Sequence, residues 1–187
     1  MAVGEPGTKE VLSLEELDAA VGVRTGRKHI VSILVENKPG VLTRISGLFA
    51  RRGFNINTLA VGPTEDERLS RITLTLDGAL HPIDQVTKQL HKLVNVLKIR
   101  DLEPEDTLAR ELALFKVSAD GPARAEVMSI CEIFRANIVD VTRRSVVVQV
   151  IGTCEKIEAF EQLVRPFGLI EMARTGEIAI SRGRAET

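Results

Sequence analysis

Residues 30–61 read IVSILVENKPGVLTRISGLFARRGFNINTLAV, and this stretch decides the fold. Its first seven residues alternate and then run apolar, the pattern of a strand. The run breaks at Asn37-Lys38-Pro39-Gly40 and resumes with Val41, Leu42, Ile45, Leu48 and Phe49 on one helical face, Arg44, Arg51 and Arg52 lying off it. Gly53 suits the left-handed position just past a helix end. Asn55–Val61 then reads as a second strand, stopped by Gly62-Pro63. A strand, a glycine-containing turn and a helix N-terminus form a small-anion site. The first N–H groups of a helix have no intrahelical acceptor and lie at the positive end of its dipole.

Downstream, Thr64–Arg68 reads as a charged hairpin loop and Leu69–Leu76 as an alternating third strand. Pro82 suits the first turn of a helix with Ile83, Val86, Leu90 and Leu93 as its buried face. Val94–Leu102 completes the order β-α-β-β-α-β, the split βαβ unit of ferredoxin-like folds. The acidic, proline-broken run Asp101–Asp106 reads as an exposed linker.

The remainder repeats the pattern. An offset of 82 carries Val35 onto Val117, Asn55 onto Asn137 and Ile56 onto Ile138. Strands are expected at Glu111–Ser118, Asn137–Val141, Ser145–Ile151 and Leu169–Arg174. Helices are expected at Ala123–Phe134 and, capped by Thr153, through Leu163. The fold class is therefore α+β: two ferredoxin-like βαββαβ modules in tandem. The boundaries are an N-terminal extension at 1–28, a first module at 29–102, a linker at 103–109 and a second module at 110–187. In the extension, Ser13 and Glu16 fit a capping box, and Leu14, Leu17 and Val21 one short amphipathic helix.

Composition narrows the function. A net charge of −1 over 187 residues supplies no field for nucleic acid or an anionic membrane. The third strand carries no aromatic on which an RNA base would stack. No run approaches the roughly 18 apolar residues that span a bilayer. The N-terminus lacks a signal-peptide pattern and is too acidic for a transit peptide, so a cytoplasmic location is expected. Cys131 and Cys154 fit no metal or redox spacing, and His29, His81 and His91 share no ligand spacing. No Ser-His-Asp or Cys-His arrangement, Walker loop or GxGxxG is present. The two cysteines are expected to be small core or near-surface residues. Arg51-Arg52 and Arg143-Arg144 are expected to be solvated charge or contacts to an acidic partner.

What remains is the turn. Pro39 fixes one φ, and Gly40 lets a ligand approach the backbone without a Cβ in the way. Val41 and Leu42 supply helix-terminal N–H groups for a carboxylate. The amides of Asn37 and Asn55 offer an acceptor for an ammonium and donors for a carboxylate. Ile56 would floor an aliphatic pocket. Ordinary turn chemistry accounts for the same residues. In the second module Ala119 replaces Asn37, and Pro122 has no N–H to donate, so that turn is not expected to bind in the same way.

The segments ENKPGVLTRISGLFARRGFNI, LSRITL, QLHKLVNVLKI, RELALFKV, EIFRANIVDVT and GEIAISRG, in this order, resemble the small regulatory subunit of acetolactate synthase. The resemblance covers residues 29 to about 183. It implies an N-terminal ACT domain, an ACT-like second domain, and a chain that is not itself an enzyme. The implied partner is the catalytic large subunit, which carries thiamine diphosphate, Mg2+ and FAD. This chain, without a cofactor of its own, would activate it. It would also confer feedback inhibition by a branched-chain amino acid, most often valine, with leucine or isoleucine as alternatives. The resemblance further implies a homodimer of ACT domains paired side by side, with the effector between them. The contact positions it implies are Asn37, Gly40, Asn55 and Ile56, with backbone N–H groups from Val41 and Leu42. Lys38-Pro39 departs from relatives that carry an acidic residue and serine there. A free-standing ACT-type amino-acid sensor is the alternative, and the match through the second module favours the subunit.

Overall fold

In residues 30–35 the alternation of a strand sets Val31, Ile33 and Val35 on one face, and the rest of the first module assembles on that face. The computed structural model describes residues 28–77, 83–184 and 186–187. The helix expected at Ser13–Val21, the helix start at Pro82, and His81 lie outside the described residues. The first module consists of β1 (Lys28–Glu36), α1 (Val41–Arg52), β2 (Thr58–Pro63), β3 (Leu69–Asp77), α2 (Ile83–Leu90) and β4 (Val96–Leu102). Its strands form an antiparallel sheet in the order β2-β3-β1-β4. Val31, Ile33 and Val35 of β1 and Ile72, Leu74 and Leu76 of β3 are buried beneath α1 and α2. Those helices contribute Val41, Ile45, Leu48, Phe49, Val86 and Leu90.

A short 3-10 turn, Pro104–Asp106, leads into the second module: β5 (Thr107–Ser118), α3 (Ala123–Phe134), β6 (Asn137–Val141), β7 (Ser145–Gly152), α4 (Cys154–Val164), β8 (Leu169–Arg174) and β9 (Ile178–Ser181). The strand order β6-β7-β5-β8 repeats the first sheet. Phe160 lies at its centre, its ring 5.1 Å from that of Phe115 and 5.5 Å from that of Phe134. Cys131 is a buried core residue of α3, and Thr153 caps α4 by accepting the Lys156 N–H. The α+β fold, two ferredoxin-like modules in tandem, is the one expected.

The offset of 82 holds at the level of single hydrogen bonds. Gly53 and Arg135, at equivalent positions, both take the left-handed conformation at a helix end. Gly53 and Phe54 donate to Ala50 and Phe49; Arg135 and Ala136 donate to the equivalent Glu132 and Cys131. The ladder to the edge strand shifts register between Leu34 and Val35, and again between the equivalent Lys116 and Val117.

Several boundaries differ from expectation. β2 starts at Thr58, not Asn55, although Asn57 N–H already bonds Thr75 O at 2.9 Å. It continues through Pro63, which an edge strand tolerates because the lost N–H is not owed to a neighbour. β4 starts at Val96, because Leu93 O turns back to accept the Val96 N–H at 3.0 Å. The stretch 103–109 is not all linker, since β5 begins at Thr107, whose hydroxyl donates to Glu103 O at 2.6 Å. Finally, β9 extends the fold past β8, pairing antiparallel with the first half of β5 from Thr107↔Ser181 to Arg110↔Ile178.

That added strand joins the modules, packing across β1 with Ala179 buried. At the seam Lys28 Nζ lies 2.6 Å from Glu177 Oε2, and Arg71 donates to Thr187 O at 3.1 Å. Among the described residues no helix is long and apolar enough to cross a membrane. Phe160→Ala removes the ring shared by two aromatic contacts and is expected to cost about 3–5 kcal/mol. Chemical denaturation monitored by far-ultraviolet dichroism, read as a lowered midpoint, checks this.

Candidate functional site

β1 ends at Glu36, and the turn that follows is held from outside by the β2–β3 hairpin. Asn37 N–H donates to Arg68 O at 2.7 Å, and its side-chain Nδ2 donates to Glu67 O at 2.9 Å. With one Nδ2 hydrogen engaged by the hairpin, Asn37 keeps its Oδ1 acceptor, which suits an ammonium. The hairpin is itself tied by Asp66: Arg68 Nε and NH2 reach its two carboxylate oxygens at 2.9 and 2.7 Å, and Arg68 N–H adds a bond at 2.9 Å. These bonds from Arg68 pull the Asp66 carboxyl down to about 2. Glu67 and Arg68 were not among the expected site residues. The signal for them was the pairing of β1 with β3, which sets Glu36 opposite Leu69 and so brings the hairpin to the turn.

Gly40 caps α1 with φ 83° and ψ −3°, and nothing lies within 4 Å of where a Cβ would project. Its glycine is required by the left-handed backbone, and the space beside it is open to an approaching group. One expected donor is partly engaged: Val41 N–H points back to Lys38 O at 3.4 Å, a long bond closing the turn. Leu42 N–H has no protein acceptor among the described residues, and its side chain is exposed next to the turn.

Asn55 and Ile56 lie past the other end of α1. Asn55 is exposed, its amide 3.5 Å from Asn57 Oδ1, while Ile56 is half-buried against the first core. The 12 residues of α1 separate the two groups by about 18 Å at 1.5 Å per residue. One chain therefore does not bring Asn37 and Gly40 together with Asn55 and Ile56 around a single small ligand.

The second module reproduces the frame without the groups. Ala119 N–H donates to Arg144 O at 2.8 Å, the counterpart of the Asn37–Arg68 bond. No amide side chain follows, the left-handed glycine comes one position earlier at Gly121, and Pro122 caps the helix. Arg124 closes the space, donating to Ala119 O at 2.9 Å and Thr142 O at 2.6 Å. Elsewhere, His29 pairs with Asp101 at 3.0 Å. Cys154 is half-buried; burial and the neighbouring Glu158 raise its thiol above the ordinary range. Among the described residues no three His, Cys, Asp or Glu side chains gather as a metal site.

Comparison with known proteins gives this frame a family. Residues 31–98 match the family described as AHAS small subunit-like ACT domain, and residues 110–183 match that described as small subunit of acetolactate synthase. The chain belongs to the acetolactate synthase small-subunit family. It is 47% identical over 155 residues to the acetolactate synthase small subunit of Mycolicibacterium smegmatis, covering 83% of this chain and 91% of that one. It is 50% identical over 156 residues to the probable small subunit of Methanothermobacter thermautotrophicus, covering 83% and 93%. The crystal structure of the Thermotoga maritima acetolactate synthase small subunit matches 85% of this chain and 99% of its own, at 42% identity and a TM-score of 0.78. The turn and the helix exit both fall inside the ACT match.

The folded Asp66 has a lower pKa than an unfolded aspartate, near 3.9. Its ion pair therefore contributes fully above that value and is lost as pH falls through about 2. In a carbon-detected NMR titration Asp66 should show a midpoint near 2, and Arg68→Ala should return it toward the ordinary range.

Proposed function

We propose that this chain is the regulatory subunit of acetolactate synthase. It binds the catalytic large subunit, raises its activity, and makes it sensitive to a branched-chain amino acid, foremost valine. The thiamine diphosphate, Mg2+ and FAD of the reaction belong in this reading to the large subunit. The observation that carries it is the left-handed Gly40 turn at the head of α1, inside a chain whose two halves both match the family.

The chemistry of the turn suits an aliphatic amino acid. The carboxylate meets the Leu42 N–H and the positive end of α1, a dipole contribution of about 0.3–1 kcal/mol. The ammonium meets Asn37 Oδ1, and the aliphatic side chain lies against Leu42 of one protomer and Ile56 of its partner. Asn55 of the partner then adds an amide. The separation of the two residue groups by the length of α1 supports a site shared across an ACT-domain homodimer. Each interface then completes two equivalent sites, as a two-fold contact requires.

Regulation follows by linkage. Valine favours the quaternary arrangement in which the shared site is closed, and its differential affinity biases the large subunit by about 1–3 kcal/mol. Gly40→Asp imposes a side chain on a left-handed backbone and places a carboxylate where the ligand's belongs. In an assay of the reconstituted holoenzyme, this variant should still activate the large subunit and should be insensitive to valine. Retained valine inhibition would refute the site; no co-purification with the large subunit and no rate change on mixing would refute the subunit role.

A further inference from the structure

The turn rests on a side-chain clamp outside the expected site residues. Asn95, between α2 and β4, takes the Glu36 backbone N–H on its carbonyl at 3.0 Å. Its side chain then reaches both sides of the turn: Nδ2 donates to Glu36 Oε2 at 2.5 Å, and Oδ1 accepts from Arg44 at 2.8 Å. The other Glu36 oxygen accepts from Lys38 Nζ at 3.0 Å. Lys38 first, and Asn95 with it, hold the Glu36 carboxyl below its ordinary range. The residue before the turn is thereby tied to the first turn of the helix after it.

The internal repeat provides a control within the same molecule. Ser118, Asp120 and Glu126 occupy the positions of Glu36, Lys38 and Arg44. Gly168 stands where Asn95 does, since its carbonyl takes the Ser118 N–H at 2.8 Å. The backbone bond is kept and the side-chain network is gone. Gly168 has φ +100°, and an added Cβ would lie 3.3 Å from Ser118 Cβ. Helix α3 forms and the second core packs regardless. The fold does not need the clamp; it accompanies the turn that keeps an asparagine and a glycine cap.

We propose that Asn95, with Glu36 and Arg44, is a positioning device that holds the Asn37–Leu42 turn in its ligand-binding form and keeps Lys38 beside it. This rests on the reading of that turn as the effector site. A glycine with open space around it loses more freedom on ordering than any other residue. Unless the turn is fixed beforehand, that loss falls on ligand binding. The clamp fixes it from both flanks without touching the ligand.

The test is calorimetry on the full chain with L-valine as the probe. Asn95→Ala removes both side-chain bonds and keeps the carbonyl; it should weaken binding about three- to tenfold. Asn95→Asp sets two carboxylates against each other and should weaken it too. Adding Glu36→Gln to Asn95→Asp re-forms the bond with donor and acceptor exchanged, keeps an acceptor for Arg44, and should restore most of the affinity. A purely structural loss would not be recovered by that exchange. The clamp is overturned if Asn95→Ala and Asn95→Asp bind L-valine as the unaltered chain does, or if the exchanged pair recovers nothing. Should Asn95→Ala fail to fold, Asn95→Asp and the exchanged pair decide alone. Gly40→Asp, run alongside, separates the failures. Normal L-valine binding by that variant condemns the site itself, and with it the clamp; lost binding there with normal binding by the Asn95 variants condemns only the clamp.

Discussion

An antiparallel sheet with both its helices on one side has a second face that must be either wetted or covered. In the first module that face carries Ser32, Thr73 and Thr75, which are only 2%, 3% and 0% exposed. Burying hydroxyls is tolerable where they find partners. Thr58 and Thr75 pair their hydroxyls at 2.6 Å, and Arg71 reaches Ser32 at 3.1 Å. The cover comes from the far end of the chain, where β9 is carried on the first half of β5. The extra length of β5 beyond its module is thus what holds the two sheets together.

The seam is charged as well as covered. Glu111 and Glu177 are buried carboxylates, a state that costs several kcal/mol of desolvation per ion unless a cation is close. Arg174 meets Glu111 with a two-pronged contact at 2.8 and 2.6 Å, the geometry to which a planar guanidinium is suited. Burial would lower the pKa of Lys28, but the hydrogen bond and charge of Glu177 outweigh it and the net shift is upward. Between these pairs, Gly176 presses on β2: a Cβ there would meet Thr58 Cβ at 3.1 Å. Thr58 is two residues past Ile56. One end of the candidate site therefore abuts the seam, while the other stands at the far end of α1 on its hairpin.

What the sequence made legible is what local chemistry dictates. The helix ends at Gly53 and Ala123–Phe134, and the alternation of β1, are set by neighbours within a turn or two. The offset of 82 rested on a few identities such as Val35 and Val117, yet it holds down to a repeated register shift. Non-local pairing stayed hidden. β9 has four residues, two of them exposed isoleucines, and only its partner far upstream makes it a strand. The turn was legible as a turn, with Asn37 and Gly40 in it. Two refinements were not: Val41 N–H bends back to Lys38, and the Asn37 amide donates to the hairpin. Asn95 was invisible because nothing in the run LVNVLK marks an asparagine that will grip a strand end some sixty positions earlier.

A ligand shifts an equilibrium only by as much as it prefers one state over the other. A site contained within one protomer would stabilise the fold and leave the pairing of protomers untouched. A site split between the head of one α1 and the exit of the partner's α1 cannot be filled without fixing how the two protomers lie. On the proposed reading, the length of α1 is thus the source of the regulatory power, because it forbids the monomer from satisfying the ligand alone. The exit half, Asn55-Ile56, continues within two residues into Thr58, against which Gly176 of the second module is packed with no room to spare. On the same reading, a change in how the first modules pair would bear on a strand against which the second module is closely packed. Coupling of this kind needs no flexible relay, only a close-packed seam that cannot absorb the movement.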